Sequence, residues 1–231
     1  MYICFHLPKC AGTSLQRYLK PNPQVMLDYG NRINAYDEES LAFRRKKREA
    51  FAQHYKAGRI HQKIIYGHFY ADQYHGLDDT FKYLTIIRDP IIALQSGWSQ
   101  LQRIINNEEV GNFQKAKNRH PSTIEGQKIK CFDDYIEHPW FSNKYSQILN
   151  PLKVEDFTFI GIQEYYDISV DIYCDIIGID PPKKLEKANS NPKGETQYNL
   201  DRDTLKKICT HHAADIEFYT KAKERFLKEE L

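Results

Sequence analysis

The stretch Leu7-Pro8-Lys9-Cys10-Ala11-Gly12-Thr13-Ser14-Leu15 decides the reading of this chain. Residues 2–7 before it form a short apolar run that reads as a buried strand. Gly12-Thr13-Ser14 opens a helix to about residue 19, stopped by Pro21 and Pro23. A strand that turns at once into a helix places the turn at the carboxyl edge of a sheet, where open α/β folds hold ligands. Each residue type in the turn suits an anion. Gly12 lets the backbone turn and approach closely. Successive amides along Cys10, Ala11 and Gly12 lead into the positive end of the helix dipole. Lys9 adds a point charge, while Thr13 and Ser14 add hydroxyl donors. An ordinary strand-to-helix turn, with a solvated lysine and capping hydroxyls, is the plain alternative.

Two sharper alternatives fail on counting. The nucleotide-hydrolase loop GxxxxGK[ST] needs its lysine after the second glycine, whereas Lys9 precedes Gly12. A cysteine-phosphatase loop carries arginine six positions after its cysteine, and Gln16 stands there. Cys10 at a helix start is open to pKa lowering, but it reads as a small loop-packing residue and not as a nucleophile.

Outward from this loop, the hydrophobic period alternates between strand and helix. Further strands are expected at 25–29, 63–66, 83–87 and 157–162. Helices are expected at 41–57 (ended at Gly58), 90–105, 131–137, 141–149 and 168–177 (ended at Gly178). A single long final helix is expected over 201–227, with Asp201 as N-cap. Residues 106–130 read as a polar surface excursion. No repeat or linker divides the chain, so the expectation is one α/β domain, 1–231, with a mostly parallel sheet of about five strands flanked by helices.

The 231 residues carry 33 Lys and Arg against 31 acids. That balance excludes a general polyanion binder such as a nucleic-acid protein, so any basic surface is local. Five cysteines with no CxxC pair argue for a reduced compartment and against a disulfide framework or a zinc ribbon. Nothing reads as a signal peptide or a membrane span, and the expected location is cytoplasmic. His211 and His212 are adjacent on a predicted helix and point apart, so no metal site is expected.

A second anion site is expected at Arg88-Asp89-Pro90, directly after strand 83–87, with Ser96 two helical turns on. The planar fork of Arg88 suits a phosphate; a structural Arg88–Asp89 pair is the alternative. Together, PKCAGTS after the first strand and RDPxxxxxS some eighty residues later resemble the sulfotransferases that use 3′-phosphoadenosine 5′-phosphosulfate. The form His6 to Leu15 is most similar to the branch containing the heparan sulfate 2-O-sulfotransferases. Gly67-His68-Phe69, Phe159 to Glu164 and Asp215-Ile216-Glu217-Phe218-Tyr219 resemble further parts of that family.

The resemblance implies a P-loop-like nucleotide-binding architecture. It implies that Lys9, Cys10, Ala11, Gly12, Thr13 and Ser14 hold the 5′-phosphosulfate, and that Arg88 and Ser96 hold the 3′-phosphate. Lys193, in a polar loop, is a further candidate for phosphate contact. Ala93 stands where the family often has arginine. His68 follows a strand directly, matches the family's Gly-His, and is expected to be the base for an acceptor hydroxyl, titrating near neutral pH. Lys9 is expected to stabilise charge on the departing phosphate.

The acceptor implied is a hydroxyl compound, with a carbohydrate expected. The run Arg44-Arg45-Lys46-Lys47-Arg48 wraps a helix, so most of it is expected to be solvated, with contact to an acidic acceptor as the alternative. Tyr66, Phe69, Tyr70 and Tyr74 flank His68 and are expected to be core residues for the most part, with stacking on an acceptor as the other use. A kinase-like phosphotransferase and an inactive nucleotide- or glycan-binding module remain the competing classes.

Overall fold

Residues 1–29, 38–105, 129, 131–183 and 200–231 are described by a computed structural model. Five runs rich in β-branched and aromatic residues become strands: β1 (Tyr2–Phe5), β2 (Val25–Asp28), β3 (Ile64–Gly67), β4 (Lys82–Ile87) and β5 (Phe157–Ile162). They form one sheet in the order β2-β3-β1-β4-β5, every pair parallel. The central strands are apolar on both faces because helices cover both. Ile3 pairs with Ile65 on one side and Tyr83 on the other.

Helices α1 (Gly12–Leu19), α2 (Glu38–Lys56), α3 (Pro90–Ile105), α4 (Phe132–Glu137), α5 (Lys144–Leu149) and α6 (Tyr166–Ile177) follow. Two more, α7 (Arg202–His211) and α8 (Ala213–Glu229), close the chain. α2 and α6 are followed by left-handed Gly58 (φ +65) and Gly178 (φ +71), as the sequence indicates. Among the described residues no helix is long and apolar enough to cross a membrane, and no cluster of side chains is suited to a metal ion.

The connection leaving β1 runs toward β2, on one side of the sheet, whereas that leaving β4 runs toward β5, on the other. Two adjacent strands whose chains depart in opposite directions open a crevice at their carboxyl ends. Lys9 and Arg88 both belong to that crevice.

Three expectations are corrected. The single helix over 201–227 is two, because His212 leaves helical geometry (φ −122, ψ 21). The buried His212 ring accepts from the Asn143 amide (3.4 Å) and its Nε2 meets the Ile136 carbonyl (3.1 Å). Asn143 Oδ1 in turn accepts from the Ala214 and Asp215 amides, so the break is held from outside the helix. Asp201 caps α7 through Thr204 N, as expected. The helix expected over 141–149 starts at Lys144, after Asn143 adopts a left-handed conformation (φ 47).

The third correction concerns the basic run. Arg45 and Lys46 are exposed, but Arg44 is buried, lies 4.1 Å over the Tyr70 ring and pairs with Asp72 (3.3 Å). Lys47 pairs with Asp28 at 2.5 Å, and Arg48 donates to the Asp72 and His75 carbonyls. Three of the five therefore fasten α2, Arg44 and Arg48 to the segment that follows His68 and Lys47 to the end of β2. Asp28 is the hub: Gln73 Nε2 (2.8 Å) and the Tyr74 hydroxyl (2.7 Å) also donate to it.

Removing the hub takes the acceptor from two buried donors, Gln73 and Tyr74, and from the half-buried ammonium of Lys47. Asp28→Ala is expected to lower unfolding free energy by about 2–4 kcal/mol in urea titration, and Asp28→Asn by less. Equal costs for the two variants would show that the carboxylate does not organise this corner.

Candidate active site

Lys9 and Ala11 both have positive φ (65 and 58), a conformation that costs a residue with a Cβ on the order of 1 kcal/mol. Left-handed residues in alternation turn successive amides toward one side and make a concavity for an anion. Tyrosines hold the loop from behind. The Tyr66 hydroxyl donates to the Gly12 carbonyl (2.9 Å) and the Tyr166 hydroxyl to that of Ala11 (3.1 Å). Ala11 gives α1 no side-chain cap, and no acidic residue lies in its first turn. The positive φ angles fall on Lys9 and Ala11, so Gly12 has another use. A Cβ there would lie 2.1 Å from His6 Cδ2: the α-carbon packs flat against that imidazole.

The thiol of Cys10 is buried, and burial pushes it up to about 12, against the opposing hydrogen bond of Tyr145 and charge of Arg88. It stays protonated, which leaves Cys10 its backbone to offer. The Tyr145 hydroxyl lies 3.2 Å from this sulfur and donates to the Arg88 carbonyl at 2.9 Å, tying the first loop to the second. Asp89 caps α3 through Ile91 N (2.8 Å), and its own amide donates to Glu164 (3.0 Å). The Arg88 guanidinium keeps a buried Nε with no hydrogen-bond partner among the described residues. Such a group carries a desolvation cost that an anion relieves. Thr13, Ser14 and Ser96 are half-buried. On α3, Ser96 is the i+3 neighbour of Ala93 and lies four residues before Gln100, both of which line the cavity described below. Lys193 and residues 106–130, Ile129 excepted, lie outside the described residues.

On the other side of β1, the backbone ladder runs one residue past the strand, His6 N donating to the Gly67 carbonyl at 2.8 Å. Gly67 permits tight pairing with β2, since a Cβ there would meet the Asp28 carbonyl at 1.9 Å. The His6 and His68 rings then stack with centroids 4.1 Å apart. The Tyr29 hydroxyl lies 2.6 Å from His6 Nδ1, and its ring stands edge-on to His68 at 4.9 Å. Burial, reinforced by His68, takes His6 down to about 2. Burial takes His68 down to about 4, partly offset by a hydrogen bond to the His6 backbone. The expected near-neutral titration of His68 is thereby corrected: at neutral pH its imidazole is already uncharged. The aromatics around it are core, with Tyr66, Phe69, Tyr70 and Tyr74 each 2% exposed, so none offers a face to an acceptor.

Beside Lys9 lies a cavity of about 290 Å³. Pro8 and Lys9 form one wall, and one face of α3, including Ala93, Gly97 and Gln100, forms another. Trp140, Lys144, Tyr145 and Asp215 also line it. Lys9 Nζ donates to Gln100 Oε1 (3.3 Å), which holds the ammonium at the junction of loop and cavity. Sequence reading did not find Tyr29, Lys144, Tyr145 or Tyr166. The 16 tyrosines were visible as a surplus, but nothing in their spacing marks which hydroxyls reach the loop.

No family model matches the chain, and no curated protein matches it in sequence. Among solved structures, it is similar to a sulfotransferase from Alicyclobacillus acidocaldarius at 14% identity and a TM-score of 0.44, over 96% of this chain and 95% of the other. A likeness at that level bears on no residue of the site, and the functional reading rests on the geometry above.

Gly12→Ala is expected to cost about 1–3 kcal/mol of stability by forcing His6 aside. The double variant with His6→Ala should recover part of this in a double-mutant cycle; strictly additive costs would remove the packing argument. His6, His68 and His212 all have folded pKa values below the ordinary 6.5. Between pH 6.5 and about 4 the unfolded chain therefore binds more protons, and stability falls as pH falls. Each histidine contributes a slope approaching about 1.4 kcal/mol per pH unit in that window. Thermal melts that stay flat from pH 7 to 4.5 would contradict the burial of the imidazole pair.

Proposed function

We propose that this chain is a sulfotransferase that moves a sulfuryl group from 3′-phosphoadenosine 5′-phosphosulfate to a hydroxyl acceptor. The observation that carries the reading is the crevice between β1 and β4. It joins an amide-lined, uncapped loop to a guanidinium whose buried Nε lacks a partner among the described residues. A donor with a charged group at each end of one nucleoside fits two such anion grips. When bound, it supplies an activated sulfonate on a phosphate leaving group.

The chain's own residues then divide the work. The loop amides of Cys10, Ala11 and Gly12, with the hydroxyls of Thr13 and Ser14, hold the 5′ end. Arg88 and Ser96 hold the 3′-phosphate, with Lys193 as a further contact. Lys9, fixed by Gln100 at the cavity wall, neutralises the charge that grows on the leaving oxygen as the S–O bond breaks. The neutral imidazole of His68 takes the acceptor proton as the new O–S bond forms, and it needs no prior deprotonation. His6 and Tyr29 orient that ring by stacking and edge contact. The cavity beside Lys9 receives the body of the acceptor; His68 does not line it, so the acceptor hydroxyl projects past Lys9, out of the cavity, to reach the imidazole. The expectation of a carbohydrate acceptor rests on the family resemblance alone.

Calorimetry with adenosine 3′,5′-bisphosphate, adenosine 5′-phosphate, ADP and ATP tests this. The bisphosphate should bind at least about tenfold more tightly than adenosine 5′-phosphate, as hydrogen bonds to a charged group require. Arg88→Ala should erase that preference, while His68→Ala should retain the bisphosphate and lose turnover. Equal affinity for the two nucleotides in the unaltered protein, or an unchanged preference in Arg88→Ala, would overturn the reading.

A further inference from the structure

The cavity beside Lys9 carries a feature that sulfuryl transfer does not use. Lys144 opens α5 and lines this cavity, and its ammonium lies 4.7 Å over the Trp140 ring. Among the described residues its ammonium makes one hydrogen bond, to Gln147 Oε1, and that is long at 3.5 Å. No carboxylate stands within 4.0 Å of it among the described residues. Asp215, the acid of the same cavity, is committed elsewhere: it accepts from Tyr145 N (3.0 Å), Ser146 N (2.8 Å) and Ser146 Oγ (2.9 Å). Burial lowers the Lys144 ammonium to about 8, with the charge of Asp215 opposing that shift. It is thus still mostly charged at neutral pH. A lysine so placed is a half-buried cation facing an otherwise largely apolar space, and a counter-charge arriving in that space is favoured.

We propose that Lys144 selects the acceptor, and that the acceptor is a compact, largely apolar hydroxyl compound bearing a carboxylate or similar anion. Its hydroxyl lies at the Lys9 end and its anion at Lys144. The apolar walls supplied by Leu94, Leu101, Tyr135, Trp140 and Phe141 match a planar hydrocarbon body better than a hydrated sugar chain. The volume, about 290 Å³, sits at the small end of ligand sites and fits one ring with a short side chain. This inference rests on the sulfotransferase reading for the position of the hydroxyl, but the charge recognition stands on the cavity itself.

The test uses 3-(4-hydroxyphenyl)propionate and its neutral amide, titrated into the full chain at pH 7 by calorimetry in the presence of saturating adenosine 3′,5′-bisphosphate. The acid should bind at least about tenfold more tightly than the amide. Lys144→Met should abolish that difference, leaving the amide within about twofold of its original affinity and the bisphosphate affinity unchanged. Equal binding of acid and amide, no saturable binding of either, or a preference that survives Lys144→Met would each overturn the proposal. Bisphosphate binding, read in the same titrations, reports separately on the sulfotransferase reading. A protein that binds the bisphosphate but does not discriminate the acids loses this inference and keeps that reading.

Discussion

β1 lies between β3 and β4, and its backbone ladder to both is the constraint on which the rest of the site depends. Parallel pairing brings three carboxyl ends to one edge. Three chemically distinct segments are thereby delivered side by side: a histidine after β3, an amide-rich turn after β1 and an arginine after β4. None of them is near another in sequence. Two close approaches that admit no side chain flank this ladder: Gly67 against the Asp28 carbonyl seats β3 on β2, and Gly12 packs the turn against the His6 imidazole. The three segments are thereby anchored to one edge of the sheet.

The phenolic hydroxyls form the second layer of control. Tyr66 and Tyr166 occupy the carbonyls of the turn, which biases its amides toward an incoming anion. Tyr145 spans the crevice from thiol to carbonyl. Tyr66 and Tyr145 are buried and Tyr166 is half-buried, and their hydroxyls occupy backbone carbonyls of the two loops, so the strained turn is held by contacts outside itself.

Much of this was legible in the chain. The strand runs and the Gly12-Thr13-Ser14 helix start are set by local pattern, and the order of elements was readable because alternating periods are a local signal. Asp201 declared itself as a cap through residue type alone. The break at His212 was not legible. It depends on a ring bonded to Ile136 and Asn143, about seventy residues away, and helix propensity across 201–227 is continuous. The state of His68 was misjudged for a similar reason: a histidine's free titration is a property of water, and the stacked His6 ring and the surrounding protein replace that water. Lys144 looked like any lysine, because only packing shows that it faces a cavity.

The basic stretch in α2 has a further meaning once its partners are known. Arg44 and Lys47 are neutralised by Asp72 and Asp28, and Arg48 is directed onto carbonyls. What remains pointing outward from that stretch is Arg45 and Lys46, too little to project an attractive potential far into solvent at physiological ionic strength. This helix therefore does not steer polyanions in from a distance.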